Sequence, residues 1–330
     1  MKILVLGGAG YIGSHAVYQL IENHMEVVVV DNLETGHRAA VHKDAVFYEG
    51  DLRDKAFLRD VFEKEKIDGV LHFAAYSLVG ESVQQPMKYF NNNTYGAQVL
   101  LEVMNEFNVN YIVFSSTAAT YGEPKTIPIT EDEPTLPTNP YGESKLMMEK
   151  MMKWNSNVTD LNYVALRYFN VAGAREDGVI GEDHSPETHL IPIVIEAALG
   201  QRDHVTIFGD DYDTADGTCI RDYIHVEDLI NAHLLALDYL IKGGTSDVFN
   251  LGSSRGFSVK EIIDTVETVT DIKINRIIGE RRAGDPGRLV ASADKAKAVL
   301  KWNPTRTEIN QIITDAWNWH SNNPQGWDDK

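Results

Sequence analysis

A chain of 330 residues that is 43% hydrophobic can bury more apolar surface than a single core usually organises, so two unequal lobes are expected. Its 49 acidic side chains against 30 basic ones leave a formal net charge of -19, which argues against nucleic acid or an anionic membrane as partner; an anionic small ligand would need a local group of arginines. The one cysteine, Cys219, cannot form an internal disulfide, and no segment has the length of a bilayer span, so a soluble cytoplasmic protein is expected.

The first apolar run, residues 3–6, passes directly into Gly7-Gly8-Ala9-Gly10-Tyr11-Ile12-Gly13. Without a charged leader or a cleavage site it reads as a strand, then a glycine turn that opens a helix. Residues 27–30, 46–48, 70–73, 111–114 and 163–166 repeat the pattern of short β-branched runs separated by helical segments. Runs of that kind suit strands buried on both faces, so the first half is α/β, a Rossmann-type doubly wound parallel sheet. The proline-rich stretch 124–140 is expected to be a surface loop that delivers Tyr141 to the start of a helix. Beyond Arg167 the pattern loosens: 173–186 is acidic and loop-like, 191–199 and 259–269 look helical, and 248–251 is a short strand. We read residues 1–170 as a dinucleotide-binding domain and 171–330 as a smaller α/β substrate-binding lobe, some of whose segments return to the first domain.

Gly7, Gly10 and Gly13 follow a strand and open a helix, the context in which such glycines let backbone approach a pyrophosphate at the positive helix end. Asp31 ends the second strand about 20 residues further on, where a carboxylate accepts from a ribose 2′-hydroxyl and repels a 2′-phosphate. NAD is therefore expected over NADP. Tyr141 and Lys145 stand one helical turn apart and so share a face. Bringing a phenol from pKa ~10 toward ~7 takes about 4 kcal/mol of phenolate stabilisation. A lysine and an oxidised nicotinamide, each roughly 5 Å away, supply on the order of 3 kcal/mol apiece at an effective dielectric of ~20. Ser115, Ser116 and Thr117 emerge at the carboxyl end of the fifth strand, where a hydroxyl can bridge a substrate alcohol and Tyr141. These features predict a redox enzyme; a non-catalytic NAD-binding regulator would need none of Tyr141, Lys145 and Thr117.

The ordered strings GGAGYIG, VVVVDN, GDL, HFAA, SSTAATYGEP, NPYGESK, LRYFN, RDYIHVED and RRAGDPGRL span nearly the whole chain. The chain thereby resembles the extended short-chain dehydrogenase/reductases, and within them the branch that epimerises UDP-hexoses at carbon 4 through a transient 4-keto intermediate. The resemblance implies that Tyr11, Ile12, Asp31, Asn32, Asp51, Leu52, Phe73, Ala74, Ala75, Asn92, Lys145, Tyr168 and Phe169 line NAD, joining Gly7, Gly10 and Gly13. It makes Tyr141 the acid/base, with Lys145 its electrostatic partner and Thr117 beside it. Asn170, Leu190, Arg221, Arg282 and Asp285 would hold the UDP-sugar, with His189 and Leu289 also on its surface. It also implies a homodimer joined through helices near 92–106 and 141–154.

Three positions depart from that family's pattern. Ser77 replaces a lysine near the cofactor phosphates, His189 replaces Asn, and Leu289 is intermediate between the large and small residues that separate plain from N-acetylated hexoses. A UDP-N-acetylglucosamine 4-epimerase is thus an alternative. A dehydratase or decarboxylase on the same scaffold is a weaker one, because Ala118 and Ala119 stand where dehydratases carry a proton-transferring Asp-Glu pair. No metal is expected: Glu182-Asp183-His184 lies in a loop without a convincing ligand set. Met147, Met151 and Trp154 follow helical spacing opposite Tyr141 and read as core or subunit interface, and Trp317 and Trp319 as packing of the carboxyl end onto the body.

Overall fold

The computed structural model describes residues 1–282 and 286–327. Six strands, β1 (Lys2–Leu6), β2 (Glu26–Asp31), β3 (Val46–Glu49), β4 (Gly69–His72), β5 (Tyr111–Ser115) and β6 (Asn162–Arg167), pair in parallel in the order β3-β2-β1-β4-β5-β6. Each lies within a residue or so of the run that predicts it. A seventh strand, Asp247–Asn250, adds to β6 in parallel register, with Val248 opposite Ala165.

Successive side chains of a strand point to opposite faces, and here both faces are buried. On one, Ile3, Val5, Val27 and Val29 meet Ala16, Val17 and Leu20 of the Tyr11–Glu22 helix together with Leu229, Ile230 and Leu237 of the Val226–Ile241 helix. On the other, Leu4, Leu6, Val28 and Val30 meet Leu58, Val61 and Phe62 of the Lys55–Glu65 helix and Leu100, Val103 and Met104 of the Gly96–Glu106 helix. The chain thus winds outward from β1 to β3, then restarts at β4 on the other side of β1. That reversal opens a crevice at the carboxyl ends of β1 and β4, where a doubly wound sheet receives its ligand.

A third apolar cluster lies outside the sheet. It gathers Ile191, Val194 and Ile195 of the Leu190–Ala198 helix, Ile262, Ile263 and Val266 of the Val259–Thr270 helix, and Ile312, Ile313 and Ala316 of the Ile309–Asn322 helix. The Val259–Thr270 helix starts where it does because of a capping box: Ser258 Oγ accepts from Glu261 N at 3.0 Å, and Ser258 N donates to Glu261 Oε2 at 2.7 Å. Trp319 is buried and its indole N–H donates to Glu182 O at 3.1 Å, tying the carboxyl-terminal helix to the loop before Leu190; Trp317 packs against the same cluster. Among the described residues no helix is long and apolar enough to cross a membrane.

Candidate active site

The glycine turn sits in the β1/β4 crevice and is shaped by what a side chain would strike. Gly7 has φ +78°, and a Cβ there would lie 2.6 Å from Ala74 N; at Gly13 it would lie 2.0 Å from Gly7 O. Gly10 caps the helix with backbone alone, and no acidic residue occupies the helix's first turn, so its positive end faces the crevice unopposed. Asp31 is buried at the end of β2, where its carboxylate accepts from Ala9 N at 3.0 Å and Leu33 N at 2.9 Å. Two backbone donors fix its orientation beside the turn, while burial still holds its pKa above the ordinary value. Asp51 is paired with Arg53 at 2.5 Å, which holds its carboxyl below the ordinary pKa, and Asn32 adds a smaller pull in the same direction. Phe73, Ala74 and Ala75 follow β4, and Leu52 packs under Gly96. This rim, backbone-lined at its centre and carboxylate-ended on β2, fits a dinucleotide.

Asn92 is buried in a π-helical turn, Phe90–Tyr95, a distortion that frequently marks functional positions. Its neighbour Asn93, unremarked in the sequence, bonds Tyr76 N at 2.9 Å, Tyr76 O at 3.1 Å and Ser144 Oγ at 3.0 Å. It thereby clamps the loop after β4 to the helix bearing Tyr141. Ser77 stays exposed on that loop.

The three hydroxyls after β5 have separate partners. Ser115 bonds the Tyr168 hydroxyl, Ser116 bonds Glu149, and Thr117 Oγ1 accepts from Ala119 N at 3.1 Å. Tyr141 opens the Pro140–Ser156 helix, whose start is fixed by Asn139 accepting from Gly142 N at 2.8 Å. Burial pushes the Tyr141 phenol above its ordinary pKa, and the Thr117 hydroxyl draws it back. Lys145 Nζ donates to Ser115 O at 2.8 Å. Desolvation brings its ammonium down to about 7 against the pull of Glu149, so the group carries only part of a charge at neutrality.

Behind Lys145 lies a pair that sequence reasoning missed. Glu149 takes Arg167 at 2.9 and 2.5 Å, both groups buried, with the guanidinium 4.8 Å from the Tyr121 ring centroid. Tyr141, Lys145 and Glu149 recur every four residues on one helix face, and that spacing was the available signal.

A cavity of about 660 Å³ brings together Asn170, His189, Leu190, Arg221 and Arg282. Arg221 Nη1 donates to Ile220 O at 2.8 Å, and the Arg282 guanidinium lies 4.0 Å from the Phe208 ring centroid. Three guanidiniums, those of Arg202, Arg221 and Arg282, stand on a wall of mixed polar and apolar side chains, and paired, charge-assisted donors of that kind suit a diphosphate. Leu289 is not on that wall; it pairs in register with Arg221 and packs with Phe169 against Ala118, Tyr121 and Ile129. Thr117 and Tyr141 do not line the cavity either, and Asp285 lies outside the described residues.

The loop after Gly181 departs from its sequence reading. Glu182 and His184 are joined by Glu187 and His189, and the four ligand-type atoms lie within 4.8 Å of one another.

Residues 3–252 match the NAD dependent epimerase/dehydratase family. A UDP-glucose 4-epimerase of Streptococcus mutans is 60% identical over 332 residues, all of both chains. A crystal structure of a UDP-glucose 4-epimerase, 59% identical, superposes with a TM-score of 0.98 over 99% of this chain and 100% of that one. The Bifidobacterium longum UDP-glucose 4-epimerase, solved in complex with NAD+ and UDP, is 41% identical with a TM-score of 0.94 over 99% and 100%.

Proposed function

The chain belongs to the NAD dependent epimerase/dehydratase family, and from that premise we propose that it interconverts UDP-glucose and UDP-galactose by inverting carbon 4. The observation that carries this reading over the family's other reactions is local. The Thr117 hydroxyl at the end of β5 draws the pKa of the Tyr141 phenol down, and the next two positions are Ala118 and Ala119, which transfer no proton.

NAD, held along Gly7, Gly10, Gly13, Asp31 and the β4 rim, supplies the hydride acceptor and donor. The chain's own residues do the rest. Tyr141 takes the proton of the 4-hydroxyl and later returns it, and Thr117 fixes the phenol and the sugar oxygen relative to each other. Arg221, Arg282, Asn170 and Leu190 grip the UDP end, with Asp285 joining them by family resemblance. A firm grip there leaves the hexose free to turn over as the 4-keto sugar and present its other face. No outside reductant is consumed. Residues 1–170 make the cofactor half and 171–330 the substrate half, less the segment 226–251, which joins the main sheet.

Incubation with UDP-galactose and UDP-N-acetylgalactosamine in parallel, without added reductant, tests the reading. An isomer of unchanged mass is expected from UDP-galactose; a product lighter by one water, or no conversion, refutes it. The second substrate reports the room left beside Leu289.

The chain acts as a homodimer in the cytoplasm. Trp154 is 73% exposed and Met147 is exposed beside it, while Met151 packs partly into the core. Their helix lies along Gly96–Glu106, bridged by Asn105 and Asn155 at 2.9 and 3.1 Å, so the two helices form one face. An exposed tryptophan on such a face supports self-association. Light scattering is expected to give a dimer mass that Trp154→Glu shifts to the monomer; a monomeric parent chain overturns this.

A further inference from the structure

We propose that Glu182, His184, Glu187 and His189 form a four-ligand site for a divalent zinc-type cation, which fixes the loop before the Leu190–Ala198 helix. The inference goes beyond the epimerase reading and does not rest on it.

The spacing is that of a coordination shell. Ligand atoms bound at about 2.0–2.1 Å to a tetrahedral zinc stand roughly 3.3–3.4 Å apart. Here His184 Nδ1 lies 3.1 Å from Glu182 Oε1 and 3.6 Å from Glu187 Oε2, and His189 Nδ1 lies 2.7 Å from Glu182 Oε1 and 3.3 Å from Glu187 Oε1.

The rival arrangement is a plain ion-pair cluster, two imidazoliums on two carboxylates. Its hydrogen-bond geometry is wrong. Glu182 Oε1, His184 Nδ1 and His189 Nδ1 are all sealed from solvent, yet none makes a hydrogen bond of acceptable angle. Buried polar atoms seldom go unpaired, and three of them converging on one point is what a shared central ion explains. Glu182 is only 3% exposed, so its oxygen has no recourse to bulk water. Two carboxylates balance a 2+ charge, and imidazole nitrogen and carboxylate oxygen are both donors that zinc accepts.

The surroundings hold the ligands in place. Glu187 Oε1 accepts from Thr188 N at 2.6 Å and His189 N at 2.7 Å. The Trp319 indole donates to Glu182 O, and the ring lies so close over Gly181 that a Cβ there would sit 2.2 Å from it. Such outer partners orient a ligand's donor atoms. Tyr11, which opens the first helix of the cofactor crevice, sets its ring edge-on to His184 at 6.3 Å. The cation therefore sits between that crevice and the wall bearing His189 and Leu190, and it acts as a positioning element.

The test uses the untagged full-length chain, stripped with a chelator and titrated with Co2+. The expected result is one equivalent bound with the intense visible bands of tetrahedral cobalt, displaced by Zn2+, which also raises the melting temperature of the stripped protein. His184→Gln is expected to lose at least tenfold in cobalt affinity while keeping its circular dichroism. Absence of tetrahedral bands in the parent chain overturns the proposal, as do bands of equal affinity in His184→Gln. Should the variant fail to fold, the parent titration decides alone.

Discussion

Replacing Tyr141 with Phe lowers turnover of UDP-galactose by about 10²–10⁴-fold, the usual contribution of a positioned acid/base, while NAD stays bound. The Thr117 hydroxyl is the side chain that draws the phenol's pKa down, and the helix that carries the phenol is anchored independently by Asn139, Ser144 and Lys145. Losing one oxygen therefore leaves the Gly7–Gly13 turn and Asp31 untouched. Because burial raises the phenol above its ordinary pKa, its activation depends on positive charge brought close to it, and Lys145 at about 7 supplies only a fraction. Parent activity should therefore rise as pH approaches the phenol's range, and the Phe variant should lose that limb. The kcat profile and the NAD content of the purified variant check both statements. Near-normal turnover, or loss of the dinucleotide, would refute the assignment.

What was legible in the sequence was what sterics demand locally. Gly7 and Gly13 cannot carry a Cβ in this turn, so the fingerprint declares itself, and β-branched runs such as Val27 to Val30 announce strands buried on both faces. Pocket residues such as Arg221 and Arg282, 61 positions apart, were reached through family resemblance, because neither spacing nor periodicity links them. Hidden features share one cause: their meaning is set by partners distant in the chain or joined through an irregular loop. Glu149 reads as a solvated helix charge until β6 brings Arg167 against it. Glu182 and His184 look unsupported until the loop folds Glu187 and His189 onto them, a closure that no helical or strand period encodes. Likewise 247–250 is an ordinary short strand until it pairs with β6 and completes the main sheet.

Glu149→Gln is expected to destabilise the chain by about 3–5 kcal/mol, the cost of leaving one member of a buried ion pair alone. The amide keeps the shape but removes the charge that Arg167 meets at 2.5 Å, and the guanidinium, itself buried, has no water to turn to. Lys145 senses the same loss, since Glu149 is what raises its pKa against desolvation. The sign follows from proton binding. Lys145 titrates at about 7 folded and 10.5 in its ordinary state, so between those values the unfolded chain holds more protons and stability rises with pH. Without Glu149 the folded value drops further, and the rise begins on the acid side of 7. The deficit of the variant against the parent should therefore be greatest near pH 5 and narrow as pH passes 7. Denaturant unfolding of both proteins across that interval measures it; coincident midpoints, or a deficit that widens with pH, would show that the Glu149–Arg167 pair does not support the lysine beneath the active site.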